Sequence, residues 1–427
     1  MCFRVNSYMP LLRSGIIQIT QSYKHVAPSE QGILNSYRGR FAQTVAQRNS
    51  EQVMKRSVTA YLLPAVAIGL GLLALAVANG QVGTVQRWHP RRVPTDSVFV
   101  GDQSCSECHK KFFPSSSHTG MAMAMEPVAT SKVLSENPRL SMHVGPYTYE
   151  IKRNGKQSVY SVTDGKDTIT LPISYAFGQG KMGQTYVLER DGKFYESLVS
   201  FYSATKGLDF TVGAARTVPP SLEDAVGHLL SANELANCFS CHATGAVETG
   251  SQLRLDKFAH GVRCEACHGP GGKHIAGVRA GDLPSKSIYN PGLLGGDELA
   301  QHFCGSCHRG AEEFSLLKSM EVNNVRFQPY RIFNSKCYSD DRNITCTACH
   351  NPHEQVREEP AYYDKRCLEC HSLRDKTAKT GGDGASCPVA DKNCTSCHMP
   401  KVEIPAAHFK FTDHYIRVVR PGEKYPN

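Results

Sequence analysis

The sequence predicts a mainly α-helical and irregular fold with one antiparallel β-meander, at about residues 141–218, inserted into it. Three observations carry that expectation. The pattern C-x-x-C-H recurs seven times and takes up 14 of the 17 cysteines. The first cysteines of these motifs stand at 105, 238, 264, 304, 346, 367 and 394, so six copies crowd the C-terminal part. The long gap after the first copy has no cysteine and carries strand-like alternation instead.

Taken in order, residues 1–53 show no sustained periodicity. They read as an over-extended start, with Met54 as the true first residue. From Met54, Lys55 and Arg56 form a basic n-region, Leu62 to Leu75 an apolar stretch, and Ala76-Val77-Ala78 a small-residue cleavage site. Residues 54–78 are thus expected to be a signal peptide. An uncleaved N-terminal anchor over residues 61–78 is the alternative, since that run is just long enough to span a bilayer. Residues 79–100 read as a polar linker, with His89 as a surface residue. A first motif-bearing segment follows at 101–140.

Within 141–218, Asn154-Gly155, Asp164-Gly165 and Asp191-Gly192 are hairpin-turn dipeptides. They separate YTYEIKR, QSVYSVT, DTITLPI, TYVLER and KFYESLVSFY, which are rich in the β-branched and aromatic residues that strands favour. About five strands are expected, either as a cover over what lies beneath or as a docking surface. Residues 219–427 form the last segment. Short helix-like pieces alternate there with turns such as GPGGKH, and SLEDAVGHLLSANELANCFSCH reads as helical up to the second motif.

The motif spacing has a chemical reason. Two thiols separated by two residues can add across the two vinyl groups of one haem. The histidine directly after the second cysteine is then carried beneath the iron as its proximal ligand. Zinc sites pair C-x-x-C with a second ligand pair and do not require that histidine. A redox dithiol would appear once, near a βαβ unit, not seven times. Seven haem c groups, each with its iron, are therefore expected. The covalent cysteines would be Cys105 and Cys108, Cys238 and Cys241, Cys264 and Cys267, Cys304 and Cys307, Cys346 and Cys349, Cys367 and Cys370, and Cys394 and Cys397. The proximal histidines would be His109, His242, His268, His308, His350, His371 and His398. A chain with so many haems would use the macrocycles as its core and be largely unfolded without them.

Each iron has a sixth position, and ten histidines after residue 78 lie outside the motifs. His118, His228, His260, His274, His353, His408 and His414 are the candidate distal ligands. His302 and His143 are weaker ones, constrained by a neighbouring motif and by the β-insert. Met121, Met123 and Met125 either pack against a macrocycle or offer a thioether ligand. Cys337 and Cys387 are a candidate disulfide in an oxidising compartment.

GVRCEACHGPGGKH, CTACHNPH and CTSCHMPK resemble motifs of the multihaem cytochromes of the c-552/c-554 type, whose relatives include the pentahaem nitrite reductases. The resemblance covers roughly residues 101–120 and 235–418. It implies a multihaem cytochrome c fold of short helices and loops organised around stacked haems. It also implies that His274 and His353 ligate neighbouring haems, not those attached beside them. The chain departs from that family in its seven motifs and its β-insert. All seven motifs end in His, whereas the active haem of the nitrite reductases follows a Lys.

The composition, 40% hydrophobic and 20% charged, excludes both a disordered tail and a polytopic membrane protein. The formal charge of +9 is concentrated in residues 1–78, which hold eight Lys/Arg and two Asp/Glu and leave 40 against 37 in the remainder. Haem propionates would turn the loaded protein acidic, so this balance gives no argument for nucleic acid. The expected function is single-electron transfer along mostly bis-His haems in the periplasm or another extracytoplasmic space. Its expected partners are redox proteins, such as other cytochromes or a membrane quinol-oxidising complex. The alternative is an oxidoreductase acting on a small nitrogen or sulfur compound at a five-coordinate haem.

Overall fold

The computed structural model describes residues 96–247, 253–282, 287–317, 321–338, 344–371, 390–420 and 422–426. The segments expected at 1–53 and 54–78, most of the linker including His89, and Cys387 lie outside the described residues. The expected Cys337–Cys387 disulfide therefore does too. Among the described residues no helix is long and apolar enough to cross a membrane.

The meander is present and larger than expected. Its strands are β1 (Met125–Glu126), β2 (Arg139–Val144), β3 (Tyr147–Asn154), β4 (Gln157–Thr163), β5 (Thr168–Gly180), β6 (Gly183–Arg190), β7 (Lys193–Ser197), β8 (Val199–Tyr202), β9 (Gly207–Phe210) and β10 (Gly227–Leu229). They form one antiparallel sheet in the order β10-β7-β6-β5-β4-β3-β2, with β1 on β5 and β8 bridging β6 to β9. The turn dipeptides sit where expected: Asn154 pairs with Gln157, Thr163 with Thr168 and Arg190 with Lys193. Alternation sets the faces. Tyr147, Tyr149 and Ile151 of β3 and Tyr160 and Val162 of β4 point into one buried cluster.

The central strand β6 is buried on both faces from Gly183 to Leu188. Tyr186 and Leu188 join the first cluster, while Val187 joins a second with Phe177 of β5 and Phe239. Phe239 belongs to the helix Ala232–His242, which carries the second C-x-x-C-H motif. One face of the β-insert thus packs against the helix that carries that motif.

The stretch 221–242 is not one helix. A short helix, Leu222–Val226, ends at Gly227, whose φ of 142° no helix accepts. The next residues pair with β7 as β10. The chain re-enters a helix at Ser231, where a capping box with Glu234 starts Ala232–His242.

Beyond residue 260 the elements are short, as expected. They include the helices Cys264–His268, Gly272–Arg279, Gln328–Phe333, Pro360–His371 and Cys394–His398. The hairpin of β13 (Lys401–Ile404) and β14 (Phe409–Thr412) follows near the C-terminus, its numbering counting the pair β11 (Ala243–Thr244) and β12 (Ala259–His260). Ile404 and Phe411 of that hairpin pack with Tyr202 of β8 and Val325.

Candidate haem-binding sites

Most motifs sit at a helix start or end, which turns the second cysteine and the histidine onto one turn. In the first, the His109 N–H donates to the Cys105 carbonyl (2.9 Å). In the fifth, the His350 N–H does the same to Cys346 (2.9 Å). The fourth closes a π-helical run, Glu298–Cys304, before the short helix Gly305–His308.

Three motif histidines each face a histidine from elsewhere in the chain. His109 lies 6.4 Å from His274, centroid to centroid, with ring planes 24° apart. His268 lies 6.1 Å from His353 at 11°. His350 lies 6.2 Å from His414 at 39°. In each case the second ring comes from outside the motif it faces, and His274 faces His109 rather than His268 of the motif just before it.

Several of these rings are oriented by backbone carbonyls. Nδ1 of His268 donates to Tyr289 O (2.9 Å), Nδ1 of His414 to Thr412 O (3.0 Å), Nδ1 of His242 to Ala124 O (2.9 Å) and Nδ1 of His398 to Arg417 O (3.0 Å). A carbonyl only accepts, so Nδ1 carries the proton and Nε2 keeps its lone pair for a metal. Burial, then the neighbouring His350, pulls the pKa of His414 down to about 4, which keeps it a neutral donor. Burial likewise lowers His308 and His350.

These residues fit haem iron. Two iron–nitrogen bonds of about 2 Å, with about 1 Å more to each ring centre, place facing imidazoles roughly 6 Å apart.

Two other candidates have Nε2 engaged by a carboxylate, and two have other surroundings. Nε2 of His228, on β10, bonds Glu234 (3.0 Å), the carboxylate of the capping box. Nε2 of His408 bonds Asp209 (2.6 Å), and its ring meets the edge of Tyr202. His260 packs on Phe258 (4.9 Å), and His118 is tied through Nδ1 to Pro114 O (3.0 Å). Among the described residues these four show no ring contact with a motif histidine. Met125 is buried against Phe177, Val187 and Phe239, so its part is packing.

One covalent position departs from expectation. Cys238 is in a disulfide, and a haem thioether there requires that sulfur as a free thiolate during attachment. Cys241 of the same motif donates to Ser306 O (3.8 Å) in the fourth motif.

The motifs are also brought together in pairs. The thiols of Cys105 and Cys264 lie beside each other, as do those of Cys304 and Cys346, and of Cys367 and Cys394. Cys304 also lies within electrostatic reach of Cys267, Cys349 of Cys367, and His308 of Cys241. Carboxylates lock two of the pairs. Glu265, between the cysteines of the third motif, is buried and accepts from the N–H groups of Val100 (2.9 Å), Gly101 (2.8 Å) and Gly271 (2.8 Å). Asp102 accepts from Cys264 N (3.0 Å). Asp364, buried in the helix of the sixth motif, accepts from Asn393 N and Cys394 N, both at 2.8 Å. None of these three acids stood out in the sequence, since each acts on backbone far along the chain.

The cytochrome c554 and c-prime family matches residues 218–269, the stretch with the second and third motifs. The multiheme cytochrome MtrA of Shewanella baltica (strain OS185) is 27% identical over 178 residues, covering 38% of this chain and 45% of that protein. The chain thus spans under half the length of this curated relative. No solved structure matches.

Proposed function

We propose that this chain, which belongs with the multihaem c-type cytochromes, holds seven haem c groups and passes single electrons along them. The observation that carries the proposal is the facing of His109, His268 and His350 by His274, His353 and His414 at 6.1–6.4 Å. Bound haem would supply the one-electron chemistry, and the paired histidines would hold its iron as two strong nitrogen donors, which favours electron transfer over catalysis. The chain's own part is to orient those donors through carbonyl bonds to Nδ1 and to bury them.

The motif contacts support an order for the sites: first, third, fourth, fifth, sixth, seventh. The second joins at the fourth through Cys241 and Ser306. We further infer that Cys238 is reduced when haem is attached, that the chain acts outside the cytoplasm, and that its partners are other redox proteins.

Mass spectrometry of the exported protein tests the haem count, with seven haem additions expected. EPR of the oxidised protein tests ligation, with low-spin ferric signals expected throughout. A high-spin signal that shifts with nitrite, hydroxylamine or sulfite would overturn pure electron transfer in favour of catalysis at a five-coordinate haem.

A further inference from the structure

Two of the motifs share an offset that their surroundings explain. Asp102 stands three residues before Cys105, and Asp364 three residues before Cys367. Each carboxylate leaves its own motif and accepts the N–H of the first cysteine of another, Asp102 from Cys264 (3.0 Å) and Asp364 from Cys394 (2.8 Å). In both cases that cysteine is the first residue of a one-turn helix whose preceding residue, Arg263 or Asn393, makes no side-chain cap. A helix start leaves its first N–H groups unsatisfied, and a carboxylate supplies the acceptor. Here it comes from a distant point in the chain.

Both contacts occur where the first-cysteine thiols of the two motifs also touch. Among the described residues the third such pair, Cys304 with Cys346, lacks the device. Gln301 holds the equivalent offset, and its side chain engages Pro329 O (2.8 Å) and Ala311 N (3.0 Å) instead. Asp391, at the same offset before Cys394, is exposed and caps nothing among the described residues.

We propose that Asp102 and Asp364 are positioning residues that set the separation and register of two haem pairs, those of the first and third motifs and of the sixth and seventh. The proposal rests on haem occupancy of these motifs as read above. Each aspartate fixes the start of the partner's haem-bearing turn, and with it the sulfur that holds the partner's macrocycle. Its geometric grip is thus on the gap an electron must cross. Asp102 takes the Cys264 N–H on one oxygen, so an amide oxygen of the same shape keeps that grip, whereas Asp364 uses both oxygens, one for Asn393 N and one for Cys394 N, and an amide keeps only one of them.

The test uses the full-length, haem-loaded protein, with haem count checked by mass, and the variants D102A, D364A, D391A, D102N and D364N. The readouts are spin–spin interaction between ferric haems in EPR and a stepwise redox titration. D102A should change the coupling and midpoint splitting of two haems only, D364A those of a different two, and D391A none. D102N should return the wild-type spectrum, while D364N, which keeps one of the two acceptors, should alter the same two haems as D364A but less. If the alanine proteins load haem poorly, the asparagine proteins decide: wild-type coupling in D102N with a change confined to one haem pair in D364N supports the proposal, and altered coupling in D102N or a D364N response shared by all haems overturns it. Full haem content with unchanged spectra in D102A and D364A overturns it and leaves the electron-transfer reading standing. So does a response shared by all haems. A wild-type protein lacking the haems would instead remove the reading on which the proposal rests.

Discussion

His353 lies opposite His268, ring centres 6.1 Å apart and planes 11° apart, and Phe112 is tilted against His353 at 4.9 Å. The ring reaches that place from the CHNPH turn after the fifth motif, where the His353 N–H donates to the Asn351 side chain (3.1 Å).

His353→Ala should therefore give one high-spin ferric haem while the others stay low-spin. Added imidazole should restore the low-spin signal. EPR before and after imidazole checks this, and an unchanged low-spin spectrum would remove His353 from the ligand set.

Arg331 and Asp413 form a fully buried ion pair, with bonds of 2.9 and 3.0 Å, directly before His414. Arg331 also bonds Pro426 O and stacks near Tyr415 and Tyr425. Asp413 also accepts from Arg417 (2.8 Å), so removing Arg331 strips one of two cationic partners from a buried carboxylate and costs up to about 3–5 kcal/mol. Arg331→Ala should lower the thermal midpoint and free His414 from His350, adding a high-spin haem. A variant with wild-type melting and spectrum would count against the coupling of this pair to His414.

Burial raises the pKa of Asp209, but bonds from Arg216 and His408 and the Phe210 N–H outweigh it and hold the carboxyl below its ordinary value. A depressed folded pKa gives stability that is fully present above the unfolded value, near 4, and lost as pH falls through the lower folded one. Acid should therefore loosen β9 from the C-terminal hairpin below about pH 4. Asp209→Asn should flatten that part of the pH–stability curve, measured by denaturant melts from pH 3 to 7.

Gly261 has a φ of 80°, and a Cβ there would stand 1.9 Å from the Ala122 carbonyl oxygen. The neighbouring Val262 N–H bonds Met121 O (2.9 Å), so the methionine segment and the third motif meet at this residue. Gly261→Ala should destabilise by on the order of 2 kcal/mol or more, from strained backbone together with displacement of that segment. Thermal melts of the loaded protein check it, and an unshifted midpoint would show that the segment yields freely.

Much of this was legible in the sequence because it is local. The C-x-x-C-H copies, the turn dipeptides and the alternation of Tyr147, Tyr149 and Ile151 each declare themselves within a few residues. The strands β1, β9 and β10 escaped notice because they are two to four residues long and exist only through pairing with β5, β8 and β7. Histidines divided by a similar rule. His274, His353 and His414 stand in turns that carry them across to other motifs. His228 and His408 looked equivalent but meet the carboxylates of Glu234 and Asp209, which no local pattern announces. The sequence does hold one trace of the aspartate contacts, the repeated D-x-x-C-x-x-C-H at Asp102 and Asp364, but Asp391 shows the same trace without the contact.

The reach of Glu265 and Asp102 across the β-sheet bears on how the molecule is made. Delivered N-terminus first to the compartment where it folds, the chain presents its first motif long before Cys264, Glu265 and His274. During that time the first motif has neither the carboxylate that closes the loop at Val100 and Gly101 nor the ring that faces His109. The sheet, whose strands all lie between Met125 and Leu229, can form in the interval. The earliest haem site in the chain is thus among the later ones to be finished, and a chain truncated before residue 264 should leave it open on both counts.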